Sequence, residues 1–359
     1  MRIVRAEVEA LRTPLRRPLV TSQGTVTTRR GFLLRLIADE GVEGLGEASP
    51  AYWIDEGSIE ETAADLRAIV ARVATHPNAA RLRDMLFERG DRHRLSAAAA
   101  CALDTALLDL TARAGGVAVT SLIGGEPTTP LLASALLAGE TPEALAHEAR
   151  AAVARGFRTL KIKVGSATIT EDVQRVAAVR VHAGAAVALR LDANRAWAPE
   201  EAQRALAAFE PLGVEFIEEP LRVAEPRALA ALQSSTHVPI ALDESVTDTA
   251  GLRRFTEAGA APVVVLKAAR LGGPSRVLEL AQVARANALR VVVTDSIETA
   301  IGMSAAVHAG AALPAPRLAL GLGGGWLLDA HPFPAPLLQA VGPGLDVRVL
   351  PETHSAGHA

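Results

Sequence analysis

Short apolar runs, each ended by a charged residue, repeat along the middle of the chain. Five such residues follow one another at intervals of 24 to 29 positions: Lys163, Asp192, Glu218, Asp243 and Lys267. This interval is the length of one strand, one helix and two loops, the repeat of a (β/α) barrel. Because the carboxyl ends of barrel strands converge on one mouth, the pattern predicts that these five side chains share a single pocket.

Helical patterns occupy the intervals between the runs. A capping residue, a proline at the first position or an acidic first turn opens each of them. The openings are Thr141-Pro142-Glu143, Thr170-Glu171-Asp172 and Pro199-Glu200-Glu201. Further strands are predicted at 131–137, before the first run, and at 290–294 and 318–320, after the last one. The strand–helix alternation therefore extends from residue 131 to residue 320.

The first third of the chain has a different pattern. Strand-like runs over 2–10, 31–38 and 42–47 precede helical periodicity over 57–115. We expect an α+β domain over 1–122, a barrel over 123–328 and a tail over 329–359 that returns across the first domain. The polar stretch 19–28 is either a plain hairpin loop or a mobile flap over a site, and the sequence leaves both open.

Composition narrows the class of protein. The 359 residues are 49% hydrophobic and 21% charged, which favours a folded chain with a sizeable core. A net charge of −3 argues against a nucleic-acid surface. Cys101 is the only cysteine, which excludes an internal disulfide, and the N-terminus lacks the apolar block of a signal peptide. We expect a soluble cytoplasmic protein without a membrane partner, and homo-oligomer formation stays open.

Three carboxylates at consecutive strand ends predict a metal site. Asp192, Glu218 and Asp243 offer the oxygen ligands that Mg²⁺ prefers, with Mn²⁺ as an alternative. No histidine or cysteine stands beside these strand ends, so zinc is not expected. Each acid taken alone is as well explained as a solvated loop residue or a helix cap. Their shared position in three consecutive units favours the metal site.

The lysines predict proton transfer next to this metal. A cation bound to a substrate carboxylate makes the α-proton removable. Lys161 and Lys163 have the same parity on one strand, so both face the same side, and we expect Lys163 to be the base with its pKa lowered by Lys161. Lys267 comes from a strand nearly opposite. The alternative, two ordinary lysines on a surface edge, conflicts with a buried barrel strand.

Weaker signals mark residues that contact the substrate. Polar or aromatic residues near the expected mouth and in the N-terminal loops are the candidates: Asn194, Ser22, Gln23, Trp53, Ser296 and Gly323. The glycines at 321–325 do not have the spacing of a dinucleotide-binding loop, so we interpret them as a turn whose amides contact a substrate carboxylate. We interpret His308 as a core histidine rather than a ligand.

These motifs together resemble one enzyme family. Lys-Ile-Lys, Asp-Ala-Asn, Glu-Glu-Pro, Asp-Glu-Ser and Lys-Ala-Ala-Arg-Leu-Gly-Gly are similar to the muconate-lactonizing-enzyme subgroup of the enolase superfamily. The resemblance implies an α/β fold, a (β/α)7β modified TIM barrel with an N-terminal α+β capping domain that the C-terminal segment completes. It also implies Asp192, Glu218 and Asp243 as Mg²⁺ ligands, with Lys163 and Lys267 as acid/base lysines. The mandelate-racemase branch is disfavoured because Lys267 stands where that branch has an aspartate.

Three activities of the subgroup compete: o-succinylbenzoate synthase, dipeptide epimerase and N-succinylamino acid racemase. Dipeptide epimerases usually carry an Asp-x-Asp near the eighth strand, and here 318–329 contains only Asp329. The stretches 29–36, 46–50 and 294–302 are more similar to the synthases. The resemblance therefore favours a carbon–oxygen lyase that eliminates water in menaquinone biosynthesis. The racemase and epimerase are alternatives, and a barrel that binds metal and a small carboxylate without turnover is a third.

Overall fold

The computed structural model describes residues 1–21, 24–52, 57–85, 95–127, 129–329 and 331–350. Its N-terminal part is an antiparallel sheet in the order β1-β2-β3, followed by helices. The elements are β1 Ile3–Thr21, β2 Gly24–Ala38, β3 Glu43–Ala48, α1 Ile59–Thr75, α2 Ala79–Asp84, α3 Ala97–Ala114 and α4 Val119–Leu122. This is the predicted α+β capping domain.

The first two strands are longer than the sequence pattern predicted. They pair as one hairpin up to Thr21 and Gly24, so the described part of 19–28 forms its end. Backbone pairing continues through this polar stretch because ladder hydrogen bonds do not depend on side-chain polarity. The described geometry is therefore that of an extended hairpin.

Close packing joins the sheet to α3. The buried face of α3 lies against β3, and a Cβ atom added at Gly46 would lie 1.9 Å from the Ala102 carbonyl oxygen. At Gly44 the corresponding distance to the Ala106 carbonyl oxygen is 2.3 Å. Only glycine permits backbones to approach this closely. Leu34, Leu36 and Ile69 complete the buried core of this domain, all with no exposed surface.

The second part is a curled sheet of seven parallel strands with helices outside it. The order is β11-β10-β9-β8-β7-β6-β5, each strand beside its neighbour in sequence. The strands are β5 Ala135–Leu137, β6 Thr159–Lys163, β7 Ala188–Asp192, β8 Val214–Glu218, β9 Ile240–Leu242, β10 Val263–Lys267 and β11 Arg290–Thr294. The helices are α5 Pro142–Ala154, α6 Ile169–Ala183, α7 Pro199–Phe209, α8 Pro226–Ser234, α9 Thr249–Glu257, α10 Ala268–Leu271, α11 Pro274–Ala286 and α12 Ala300–Ala312.

Two isolated parallel bridges close the barrel. Leu320 pairs with Ala133, and Gly321 pairs with Thr294, so the predicted eighth strand joins β11 to the first strand. That first strand is divided: β4, Leu131–Leu132, pairs with the C-terminal segment, while β5 belongs to the barrel. The predicted (β/α)7β modified TIM barrel is confirmed.

The C-terminal segment returns towards the N-terminal domain. Its strands β12, Leu337–Ala340, and β13, Val347–Val349, pair with each other, and β12 also pairs with β4. The Leu345 amide donates to Asp109 on α3 at 2.9 Å. The limits 1–122, 123–328 and 329–359 stay predictions. None of the helices within the described ranges is long and apolar enough to cross a membrane.

Candidate active site

The strand ends open into a cavity of about 430 Å³. Its wall carries most of the residues predicted from the strand-end pattern and three of the weaker candidates: Lys161, Lys163, Lys267, Asp192, Glu218, Asn194, Ser296 and Gly323. Asp243 does not form the wall, but its neighbour Glu244 does. The candidates Ser22, Gln23 and Trp53 lie outside the described residues. The barrel thus brings together residues spread over more than 160 positions of sequence.

Lys161 joins two of the predicted metal ligands. Its Nζ lies 2.8 Å from Asp192 Oδ2 and 2.6 Å from Glu218 Oε2, on the strands β7 and β8 that follow its own. Burial lowers the pKa of Lys161, but Asp192, Glu218 and Asp243 together raise it above the ordinary lysine value. Lys161 is therefore a fixed cation at the centre of the carboxylates.

Lys267 and Arg270 engage the third predicted ligand. Lys267 Nζ lies 2.5 Å from Asp243 Oδ2, and Arg270 Nη1 lies 3.0 Å from Asp243 Oδ1. Burial lowers the pKa of Lys267, while Asp243 and Glu244 raise it, and the net direction is upward. Arg270 was not among the predicted site residues. The sequence signal that could have identified it is its position on the short helix α10, three residues after Lys267.

Lys163 faces the cavity from the end of β6. Its Nζ donates to Asn194 Oδ1 at 3.4 Å, and the backbone amide of Asn194 donates to Asp192 Oδ1 at 3.2 Å. Asn194 has φ of 44°, in the left-handed region that asparagine tolerates better than most residues. The Asp-Ala-Asn motif therefore turns the chain so that its asparagine contacts both Asp192, a predicted metal ligand, and Lys163, the predicted base.

Burial is the main influence on the pKa of two carboxylates of the cavity. Burial, followed by the neighbouring Asp192 and Asp243, raises the pKa of Glu218 to about 7 although Lys161 opposes this. Burial and Asp243 raise the pKa of Glu244 to about 8. Among the described residues, Glu244 Oε2 has no hydrogen-bond partner. Glu244 Oε2 is therefore a buried acceptor that is open to a ligand of the cavity.

A side chain outside the cavity shapes the loop that carries Asp243. Glu219 Oε1 accepts hydrogen bonds from the Asp243 amide at 2.7 Å, the Ser245 amide at 2.9 Å and the Ser245 hydroxyl at 2.5 Å. Glu219 is buried and has φ of 41°. The second glutamate of Glu-Glu-Pro thus organises the neighbouring Asp-Glu-Ser turn rather than facing the cavity.

Lysine itself is confined to this cavity. The chain has 37 lysines and arginines, of which only Lys161, Lys163 and Lys267 are lysines and the other 34 are arginines. All three lysines line the cavity. Arginine stays protonated at any physiological pH, whereas lysine changes its protonation when its surroundings change. The positions of lysine in the sequence therefore identify the same three residues as the geometry of the cavity.

The residues present fit a hard divalent cation by the chemistry of their donors. Asp192, Glu218 and Asp243 offer oxygen ligands from neighbouring strand ends. As placed, no group of three His, Cys, Asp or Glu side chains in the described ranges meets the spacing of a metal site. Lys161, Lys267 and Arg270 hold these carboxylates instead. The three carboxylates thus each contact a protonated lysine or arginine side chain.

Family models match most of the chain. Residues 3–124 match the model described as Mandelate racemase / muconate lactonizing enzyme, N-terminal domain, and residues 144–344 match the model described as Enolase C-terminal domain-like. The predicted family resemblance is confirmed by these two matches.

Known enzymes are similar over nearly the full length. The L-Ala-D/L-Glu epimerase of Bacillus subtilis is 30% identical, covering 86% of this chain and 84% of its own. Its substrate-liganded structure superimposes with a TM-score of 0.88, 27% identity and coverage of 97% and 99%. The N-succinyl-L-Arg/Lys racemase of Bacillus cereus is 29% identical over 86% of this chain and 84% of its own.

A third relative has been solved with a metal. The dipeptide epimerase of Enterococcus faecalis, complexed with Mg and the dipeptide L-Leu-L-Tyr, superimposes with a TM-score of 0.86 and 26% identity, covering 96% of this chain and 99% of its own. With the family models, the fold and the strand-end residues in agreement, the chain belongs to the muconate-lactonizing-enzyme subgroup of the enolase superfamily.

Proposed function

We propose that this protein is a metal-dependent racemase or epimerase, which removes the α-proton of an amino-acid derivative and returns a proton to the opposite face. The observation that carries the proposal is the placement of Lys163 and Lys267. They end β6 and β10, which lie four places apart in the barrel, and both line one cavity. A transfer that inverts the α-carbon requires one acid/base group on each side of it.

The relatives support this class of reaction better than the elimination of water. They include an L-Ala-D/L-Glu epimerase, an N-succinyl-L-Arg/Lys racemase and a dipeptide epimerase. The sequence-based preference for o-succinylbenzoate synthase in menaquinone biosynthesis has no support from these relatives. Both reactions begin with the same proton removal, so the dehydration is the comparison reaction for the test.

Within this class, an N-succinylamino acid is the first expected substrate and a dipeptide the second. The wall at the eighth strand consists of Gly321, Gly323 and Gly324, where a dipeptide epimerase would use acidic residues for the substrate ammonium. The nearby carboxylate, Asp295, accepts from the Gly324 amide at 3.0 Å through Oδ1, and its Oδ2 has no hydrogen-bond partner among the described residues. Because these glycines offer no acidic side chain, we rank a neutral N-acyl group first, and Asp295 Oδ2 is the group that would accept from the ammonium of a dipeptide.

The lysines have separate roles in the proposed reaction. Lys163 removes the proton from one face of the α-carbon, and Lys267 delivers a proton from the other, with the roles reversed for the other enantiomer. Lys161 stays protonated between Asp192 and Glu218 and holds these carboxylates in place. Asn194 orients Lys163 through its 3.4 Å hydrogen bond.

Asp192, Glu218 and Asp243 would hold the divalent cation of this site. When bound, that cation supplies positive charge next to the substrate carboxylate, which makes the α-proton more acidic. We expect a chelator to abolish activity and Mg²⁺ or Mn²⁺ to restore it. Asp243→Asn should weaken metal binding, because it removes one charge from the ligand set. Full activity in a metal-free sample would contradict the mechanism.

The decisive experiment follows α-proton exchange in D₂O. Single enantiomers of N-succinylamino acids and of dipeptides are incubated with the Mg²⁺-loaded enzyme, and loss of the Cα proton is measured by NMR beside change of optical rotation. Dehydration of the succinyl-hydroxycyclohexadiene carboxylate is measured in parallel. We expect racemisation of an N-succinylamino acid to exceed dehydration. Dehydration that is faster by orders of magnitude would refute the proposal.

Lysine variants separate the two faces. Lys163→Ala and Lys267→Ala should each abolish racemisation, yet each should retain proton exchange on one enantiomer, and the retained enantiomers should be opposite. Lys163→Arg is the matched control, because it keeps the positive charge and removes the titratable base. If both alanine variants retain exchange on the same enantiomer, the two-face assignment is wrong.

A further inference from the structure

One wall of the cavity is formed by the loop between β11 and α12. Asp295, Ser296 and Ile297 line the cavity there, and Ile297 has φ of 65°. A β-branched residue adopts a positive φ only where its surroundings hold it in that conformation. The geometry of this wall therefore depends on contacts that hold the loop, of which the Ser296 amide with Glu298 Oε2, at 2.5 Å, is one within the loop.

Two buried residues of the N-terminal domain supply such contacts. Arg29 on β2 donates from Nε to the Ile297 carbonyl oxygen at 2.9 Å. Glu47 on β3 is 2% exposed, and its Oε2 accepts from the Thr299 hydroxyl at 2.6 Å and from the Gly302 amide at 3.0 Å. Its Oε1 accepts from the Thr299 amide at 2.9 Å. Both residues lie more than 250 positions in sequence from the residues that they contact.

The Glu47 carboxylate takes the place of an N-cap for α12. The first amides of a helix have no partner within the helix, and an acceptor at this end is stabilising. Thr299, the N-cap residue of α12, makes no capping hydrogen bond with its own side chain. Glu47 therefore satisfies the first turn of a barrel helix from a strand of the other domain.

We propose that Glu47 is a positioning residue of the active site, which caps α12 and thereby holds the loop 295–299 in the shape that the substrate contacts. This inference rests on the proposed function, because it concerns the substrate wall of that reaction. Glu47 touches neither the catalytic lysines nor the predicted metal ligands in any described hydrogen bond. It acts through the loop.

The chain offers a matched control on the same strand. Glu43 begins β3, and its carboxylate pairs with Arg35 at the surface at 2.5 Å with 42% of its side chain exposed. Glu43→Gln removes the same charge as Glu47→Gln without touching the barrel. Glu47→Gln keeps one acceptor oxygen and replaces the other by an NH2 group, so the contacts that Oε1 accepts from the Thr299 amide and the Ser49 hydroxyl are lost, while one oxygen can still accept from the Thr299 hydroxyl and the Gly302 amide. Glu47→Ala removes all acceptors.

The first measurement is amide hydrogen exchange by mass spectrometry of peptides that cover 295–303. We expect several-fold faster deuterium uptake in Glu47→Ala, an intermediate rate in Glu47→Gln and the wild-type rate in Glu43→Gln. Should Glu47→Ala fail to fold, Glu47→Gln and Thr299→Val continue the test, because each removes part of the same contact. Wild-type uptake over 295–303 in Glu47→Gln and in the other folded variants would overturn the proposal.

The second measurement is steady-state racemisation of an N-succinylamino acid. Since a displacement of about 1 Å in a substrate-positioning group can cost about 100-fold, we expect kcat/KM to fall 10- to 100-fold in Glu47→Ala, with KM raised, and less in Glu47→Gln. A role in stability alone would lower Tm with KM unchanged, and that result would contradict the proposal. If the wild type shows no racemisation, the proposed function fails, while the exchange measurement still decides the capping contact.

Discussion

His308 connects three segments of the chain, and we expect its protonation to destabilise the folded protein in acid. Its ring lies on α12 with no exposed surface. The Thr120 amide donates to Nδ1 at 3.1 Å, and Nε2 lies 3.1 Å from the Asp346 carbonyl oxygen. Nδ1 is therefore an acceptor and Nε2 carries the hydrogen, so the neutral ring satisfies both contacts. Protonation would place an N–H group at Nδ1 against the Thr120 amide.

The effect of pH on the free energy of unfolding follows from the pKa of this ring. Burial lowers the pKa of His308 to about 4, although the Asp346 carbonyl and carboxylate oppose this, whereas an unfolded histidine has a value of 6.5. The lowered value means that the unfolded chain binds the proton more tightly. Stabilisation is therefore complete above pH 6.5 and is lost as the pH falls from 6.5 to about 4. Proton linkage gives a loss of about 2 kcal/mol at pH 5 relative to pH 7.5.

The assay is urea unfolding of the wild type and of His308→Asn between pH 7.5 and pH 5. The variant should be less stable at pH 7.5 by about 1 kcal/mol, the ordinary effect of a lost hydrogen bond. It should then lose about 2 kcal/mol less than the wild type on acidification. His182→Asn, at an exposed position on α6, is the control. Equal losses in wild type and His308→Asn would refute the reasoning.

Two further predictions concern the lysines and the packing of the N-terminal domain. In metal-free protein labelled with ¹³C at the lysine ε-carbon, we expect three signals, one for each lysine. Those of Lys161 and Lys267 should still show the ammonium form at pH 10.5, because neighbouring carboxylates raise both pKa values. A Lys161 signal that titrates below this pH would contradict the ion-pair geometry. Gly46→Ala should destabilise the protein by more than about 2 kcal/mol in thermal or urea unfolding, because its Cβ would lie 1.9 Å from the Ala102 carbonyl oxygen. Unchanged stability would mean that β3 and α3 can separate.

The periodicity of the sequence is sufficient to predict the barrel and most of the residues at its mouth. Strand ends at regular intervals place Lys163, Asp192, Glu218 and Lys267 on one cavity, because parallel strands present the same end to the same side. Parity on one strand likewise predicted that Lys161 and Lys163 face one way. These features depend on periodicities of a few residues, which a single sequence displays directly.

Which side chains of the site pair with one another depends on the packing of whole strands and helices. Lys161 lies between Asp192 and Glu218, and Arg270 joins Lys267 on Asp243, which no local pattern specifies. In the sequence, Glu47 is an acidic residue of a predicted strand like several others. Its proposed role follows from the packing of β3 against the first turn of α12. Such contacts join residues far apart in the chain, so they depend on how whole elements pack rather than on the sequence around either partner.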